Sequence, residues 1–537
     1  MTVKKLFLLL LAFAWGLWSF AQQQIAVHGD FQINSQTYAP DSIIDAQAPP
    51  EKLLANIYGN IVFRYRNFSA GLRYEAYQNA LLGYDRRYNG QGIAHRYIDY
   101  TDTFISITLG NFYEQFGNGL VLRTFEDRSL GYDNAFDGMR LRLHPVSGLY
   151  IKTLIGRQRY FWEKSSGIVR AADAEINVND LLHKQWKTDI SIGGSFVSKY
   201  QPDDNPVYKL PQNVAAFATR VNINRGYFAL NAEHAYKIND PSADNGYIYK
   251  PGNATYLTMS YARTGFGFII SADRYDNFSF RSDRNATLNS LYINSLPTIV
   301  PTHSYGLETI YPYVVQPLNE MGISAQLFIR FKRKSFLGGK YGTFVSLDMI
   351  RINNIDKSPV FDGTGYVSRF FVPGKDIFYQ EIAAKVEKKF SRSFKLKAKY
   401  MNLVYNKDFV QGMVGYGTVY ANIAVLDMLY KFSLRKALRT ELQVLQSHQD
   451  LGNWVMAFAE YSFSPHWYFS VFDQYNFGNT HLDRPVNYYT IAITYVRQAS
   501  RISIGYGRQR EGIVCVGGVC RNVPASNGFT FSISTSF

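Results

Sequence analysis

Nine histidines and two cysteines are the residues of this chain best suited to do chemistry. The histidines are His28, His95, His144, His183, His234, His303, His448, His466 and His481, and they are scattered. A zinc protease sets two histidines on one helix face as HExxH, and a serine hydrolase presents its nucleophile at a tight turn as GxSxG. Neither pattern occurs. Thr101-Asp102 and Ser464-Pro465-His466 read as turn chemistry. Glu126-Asp127-Arg128 looks like an acid pair, but adjacent side chains point to opposite faces of a strand. The expectation is a non-enzyme with no catalytic residue, no metal site and no cofactor.

The cysteines, Cys515 and Cys520, lie in "GIVCVGGVCRNVP". Their chemistry depends on the compartment, which the other end of the chain indicates. "MTVKKLFLLLLAFAWGLWSFAQQQ" has two lysines, an apolar run and a small-x-small site at Ser19-Phe20-Ala21. It reads as a signal peptide over 1–21, with the mature chain starting at Gln22. Exported cysteines meet an oxidising compartment and tend to pair. Gly517-Gly518 suits a two-residue hairpin turn, because both positions can take φ > 0. Centring the turn there pairs Val516 with Val519 and Cys515 with Cys520. The second pair is non-hydrogen-bonded, with Cα atoms about 4.5 Å apart, at the short end of what a disulfide accepts. Two thiols without histidine neighbours make a poor zinc site. A tight hairpin also lacks the helix N-terminus that activates redox thiols. A disulfide across so short a loop should stabilise by roughly 2 kcal/mol or less.

The elements that must carry these residues are strands. Nothing after Gln22 reads as a transmembrane helix, yet Tyr (41) and Phe (39) are abundant and apolar and polar residues alternate. In "FKLKAKYMNLVY", Phe394, Leu396, Ala398 and Tyr400 share one face, and Lys395, Lys397 and Lys399 the other. "YQEIAAKVEKKF" precedes it with the same period. A turn centred on Arg392 sets Phe390 opposite Phe394 and Glu387 opposite Lys397, as cross-strand pairing favours. The last segment, "GFTFSISTSF", puts Phe529, Phe531, Ile533 and Phe537 on one face. It resembles the C-terminal signal strand of bacterial outer-membrane barrels, which implies that these four residues are read by the barrel assembly machinery.

The whole chain reads as an all-β, transmembrane antiparallel β-barrel of about 24 strands, range 20–26, forming a single domain over 22–537. Connections alternate in length. Short ones, such as 145–148, 263–265, 338–341 and 391–393, are assigned to the periplasm. Long ones, at 80–92, 115–137, 201–213, 281–321, 353–377 and 409–420, are assigned to the outside, as in outer-membrane barrels. A TonB-dependent receptor would need a plug domain ahead of its strands, whereas alternation here starts at "IAVHGDFQINSQTY".

A barrel this wide leaks unless something fills it. Two segments are long enough to do so: 281–321, and 111–141, "NFYEQFGNGLVLRTFEDRSLGYDNAFDGMRL". The second carries Glu114, Arg123, Glu126, Arg128, Asp133 and Asp137. They suit a lumen constriction, or equally a long strand pair whose charged faces meet inside the barrel. The net charge of +15 would suggest nucleic acid for a soluble protein, but outside the inner membrane that partner is discounted. Cations there suit lipid headgroups at the rim, or a lumen biased toward anions.

"GNFYEQFGNGLVLRTFEDRSLGYDNAFDGMR", the two "GRQR" copies, "REGIVCVGGVCRNVP" and the "AQQQ" cleavage context resemble an uncharacterised outer-membrane barrel family of Bacteroidota. The resemblance implies fold and a cell outer-membrane location, and no functional residue. The expected function is a loop-occluded barrel for solute passage or a membrane-embedded part of an envelope assembly. The alternative is a non-transporting scaffold whose outer loops bind a partner. Expected partners are outer-membrane lipid, the assembly machinery and an envelope protein.

Overall fold

The computed structural model describes residues 25–361, 363–479, 484–516 and 519–537. The expected signal peptide, His481 and the expected Gly517-Gly518 turn lie outside the described residues.

Alternation dictates the architecture. In Thr418–Lys431, Val419, Ala421, Ile423, Val425 and Asp427 are buried, while Tyr420 and Leu426, of the opposite parity, are exposed. A sheet with one apolar outer face can sit in lipid only if no edge is left, because an unpaired backbone group in hydrocarbon costs several kcal/mol. The sheet accordingly closes on itself. The first strand, Ala26–Gln36, pairs antiparallel with the last, Ser526–Ser536, from Asp30 opposite Ser536 to Gln36 opposite Thr530. The main sheet has 25 strands; without the two-residue Glu163–Lys164 at the rim, the wall is a 24-stranded antiparallel barrel. The register around Arg392 follows the cross-strand charge pairing: Glu387 lies opposite Lys397, and the Phe390 N–H donates to the Phe394 carbonyl at 3.0 Å.

The connections sort by end. At one end they are tight, as at 66–67, 147–148, 226–227, 264–265 and 498–499. Gly148 takes φ 80 in one such turn, where a Cβ would be strained. Two connections at this end exceed the expected length. Residues 178–187 include a helical turn, Val178–Leu181, capped by Asn177, and 332–342 replaces the tight turn read at 338–341.

At the other end one expectation is corrected. Residues 353–377 are not a loop. Thr343–Pro359 and Tyr366–Lys389 run on together as a hairpin that turns only at 360–365. The prolines and Gly374 masked this extension in the sequence. Register shifts between Ile352 and Lys357 absorb Pro373 and Gly374, since bulges tolerate Pro in a strand, and Pro359 ends its strand opposite Tyr366. The hairpin is held to the wall by Ser368, whose hydroxyl donates to Asp276 at 2.5 Å, and by Tyr366, which donates to the same carboxylate at 2.6 Å.

The interior is packed. From the long connection 113–135, Phe116, Leu120, Val121 and Leu122 are fully buried, as are Phe278, Phe280, Ile293 and Leu307 from 277–318. The wall residues they meet include Ala171, Ala216, Ala218, Ala235 and Ala254, whose small side chains leave room for the loops. A second apolar cluster sets Tyr305, Leu307, Ile310 and Tyr311 against Met401, Leu403, Ile423 and Trp454. Fully burying one such large side chain contributes about 1.5–3 kcal/mol. Both apolar clusters lie where the loops cover the wall, and buried charges share that end, among them Arg159, Lys199, Lys237 and Glu320, while Lys397, Asp427 and Arg439 lie toward the turn end.

Candidate functional site

The two inward loops and the wall residues they grip form the candidate site. Glu114 opens the first loop. Its carboxylate pairs with Arg142 at 2.7 Å, Lys152 at 3.4 Å and Arg140 at 3.7 Å, all on wall strands. Further along, Glu126 pairs with wall residue Arg73 at 2.6 Å and with Arg128 at 2.8 Å. Arg128 in turn reaches Gln32 at 3.0 Å and Asp30 at 3.5 Å on the first strand. Asp133 accepts from Arg73, from Arg159 at 2.7 Å and from the Tyr113 hydroxyl at 2.9 Å. Burial pushes the Asp133 carboxyl pKa up, but Arg159 and Arg73 outweigh it and hold it below the usual carboxylate value. Buried wall residue Glu75 completes this cluster, bonded to Arg73 at 2.8 Å and Arg159 at 2.7 Å.

Two of the sequence candidates behave differently. Arg123 has no ion pair among the described residues; its guanidinium lies 5.2 Å from the Phe125 ring, and burial pushes its pKa down. Asp137 is part of the wall strand Phe136–Val146, opposite Asn111. It shares parity with exposed Met139 and pairs with Lys164 at 2.7 Å and Arg96 at 3.6 Å. It therefore belongs to the outer face and not to the lumen cluster.

The tip of the first loop crosses to a distant strand. The Asn118 backbone and side-chain amides donate to Glu233 at 2.6 and 2.8 Å. Gly117 takes φ 49, and a Cβ on it would lie 2.4 Å from the same carboxylate, so glycine suits this close approach.

The second loop grips the opposite wall. His303 sits between Glu381 of the wall, 3.1 Å from Nε2, and Glu308 of its own loop, 3.6 Å from Nδ1. Glu308 also accepts from wall residue Lys399 at 2.8 Å. The Leu307 N–H donates to Gln443 at 3.0 Å, and the Tyr405 hydroxyl to the Pro312 carbonyl at 3.0 Å.

The loops then bind each other. The Arg123 N–H donates to the Ile293 carbonyl at 2.8 Å, and the Ser295 N–H to Gly119 at 3.2 Å. The Asn294 amide donates to Leu120 at 3.0 Å, and Asn134 to Tyr292 at 2.9 Å. Sequence reasoning nominated both segments, the first of which contains the wall partner Arg140, but none of the partners outside them. Arg73 and Glu75 share one face of a strand, Glu233 shares its face with Lys237, and Glu381 shares its face with Lys385 and Glu387, but nothing in that alternation tells which loop residue each one meets.

The cysteine hairpin Gly512–Val516 and Val519–Val523 has the expected register, with Cys515 opposite Cys520. The Cys515 side chain lies outside the described residues. Phe529, Phe531 and Ile533 lie on the closing strand. Phe529 is exposed and its ring lies 4.7 Å from that of Tyr506, tilted by 48°. Phe537 follows the strand, and its backbone exchanges hydrogen bonds with Gly29 at 2.9 and 3.0 Å.

Among solved structures the chain is similar to a chain of the E. coli P pilus tip assembly intermediate PapC-PapD-PapK-PapG. The TM-score is 0.51 at 9% identity, and the match covers 96% of this chain and 62% of that one, so this chain spans less than two thirds of its length. It is also similar to the P pilus usher (PapC) translocation pore, at 10% identity and TM-score 0.43, over 95% of this chain and 99% of that one. A third similarity is to the ferric enterobactin receptor PfeA of Pseudomonas aeruginosa, at 11% identity and TM-score 0.43, over 96% and 81%. At such identities the first likeness speaks for the fold alone, and the other two carry no argument. No curated protein matches the chain. Residues 1–537 match a family described as a family of unknown function, DUF6029.

Proposed function

The chain belongs to that family of unknown function, DUF6029, and from this premise we propose that it is an exported outer-membrane barrel, closed at rest by its own loops, through which solute passes only when the plug yields. The reading rests on one observation above all. Loops far apart in the chain meet inside the barrel, with the Arg123 N–H bonded to the Ile293 carbonyl at 2.8 Å. Barrels of 16–18 strands already leave an aqueous channel, so a wider wall filled this way argues for a controlled path and against free diffusion. The plug is held by two apolar clusters and by buried ion pairs. Its displacement therefore needs a ligand or an envelope partner to supply free energy.

A second reading, a scaffold that transports nothing, draws support from the extended hairpin, which leaves Phe361, Val367 and Phe371 exposed. Conductance in a planar bilayer tests both. The full chain should be silent, and a variant with 116–133 replaced by a short Gly-Ser linker should give large steady steps. Large steps from the intact chain would overturn the closed state. Silence from a correctly assembled linker variant would favour the scaffold.

A further inference from the structure

A cavity of about 480 Å³ opens at the loop end of the barrel, beneath the base of the cysteine hairpin. Its size lies in the range of small-molecule sites, roughly 300–1,000 Å³. Three parts of the molecule line it: plug residues around Pro301, His303 and Pro312, wall residues Phe472 and Tyr488, and hairpin residues Ile513 and Val523. Such a lining is mainly apolar and aromatic, with a few polar groups converging on it, as in sites that hold an organic ligand.

Two arginines also line the cavity, Arg508 and Arg510, and they differ in one respect. Arg508 is satisfied: Nε pairs with Asp41 at 2.7 Å, and Nη1 donates to the Asn487 carbonyl at 3.3 Å. Arg510 forms no ion pair among the described residues; Nη1 donates to the backbone carbonyl of Glu511 at 3.2 Å. A Cβ on Gly512 would lie 2.7 Å from that same Nη1, so Gly512 leaves the guanidinium room to fold back under the hairpin. A guanidinium carries five donors and stays charged. Held against apolar surface without a counter-ion, it bears a desolvation cost that an incoming acid group would offset. Burial pushes its pKa down, and Tyr488, Tyr311 and Glu511 offset this only in part.

We propose that this cavity binds an amphipathic organic anion, with the acid group on Arg510 and the apolar body against Pro301, Pro312, Phe472 and Ile513. The occupant touches the plug directly, because His303 lines the cavity and also bridges Glu308 and Glu381. It touches the base of the hairpin through Ile513 and Val523. The site stands on its own geometry and survives if the barrel proves to be a scaffold.

The test uses the full chain in lipid nanodiscs, with empty nanodiscs subtracted. Anilinonaphthalene sulfonate serves as the aromatic anion, and N-phenyl-naphthylamine as a similar body without the charge. The wild type should show saturable fluorescence with the anion. Arg510→Gln should weaken it by about tenfold or more while changing the neutral probe by less than about twofold. Arg510→Lys should recover part of the loss. Val523→Trp keeps the charge and fills the cavity, so it should abolish binding of both probes, and it decides the matter if Arg510→Gln does not assemble. Heat-modifiable mobility on gels reports assembly of each variant. The proposal is overturned if the wild type shows no saturable anion signal. It is equally overturned if assembled Arg510→Gln or assembled Val523→Trp binds the anion as the wild type does.

Discussion

Arg73 stands where carboxylates from wall and loop converge: Glu75 on its own strand, and Glu126 and Asp133 from the first inward loop. Glu75 and Asp133 share a second cation, Arg159, while Glu126 shares Arg128. The Arg73 and Glu75 side chains are only 5% and 1% exposed, so removing the arginine strands buried negative charge. Breaking a buried pair from one side costs about 3–5 kcal/mol, enough to detach a loop without unfolding a closed barrel. Arg73→Ala should therefore expose 113–135 to protease in an assembled, heat-modifiable barrel; full protection would show that the apolar cluster alone holds the loop. The cysteine pair is a separate matter at this scale. The register sets Cys515 opposite Cys520, and non-reduced peptide mapping by mass spectrometry should find them joined. Thiols that label readily on intact cells would refute the staple.

Strands and their turns were the legible part of this sequence, because period-two alternation and cross-strand charge fix register locally. Glu387 opposite Lys397 was readable from residues a turn apart. The extended hairpin was not, because its prolines and charges look like loop until bulges are known. Nor were the plug contacts. Arg123 meeting Ile293, or Asn118 meeting Glu233, joins residues far apart in sequence, and no periodicity reports such a pairing. The same gap affects a topology test. Residues 281–321 looked like an external loop, but most of that segment lies in the plug, so a tag there would disturb it. Better sites are Val414 in the long connection 407–417 and Leu434 in the tight turn 432–435 at the opposite end, both more than nine-tenths exposed. If long loops face outward, antibody on intact cells should reach a tag at Val414 and not one at Leu434. The reverse labelling would invert the assignment.

The outer surface carries its own record of where lipid should lie. Near the turn end, aromatic side chains of neighbouring strands meet in pairs around the wall: Phe68 with Tyr100 at 5.0 Å, Tyr261 with Phe268 at 5.7 Å, and Trp467 with Tyr495 at 4.7 Å. Toward the loop end, Tyr475 meets Phe477 at 5.9 Å and Tyr506 meets Phe529 at 4.7 Å. From Trp467 to Tyr475 along one strand is roughly 26 Å at about 3.3 Å per residue. Strand tilt shortens that span across the bilayer, and the result is comparable to the apolar band of about 25 Å in outer-membrane barrels. Aromatic belts at both edges are what amphipathic rings produce at headgroup level. Between the belts, Ile491 faces outward and is 57% exposed, directly opposite Val471. Depth then decides the cost of a charge. Ile491→Lys should destabilise the folded barrel by about 2–4 kcal/mol, and Tyr495→Lys, in the belt, by about 0–1 kcal/mol. Equilibrium unfolding of both variants in the same lipid vesicles reads the difference. Equal costs at the two positions would mean that the aromatic belts do not mark the edges of the bilayer.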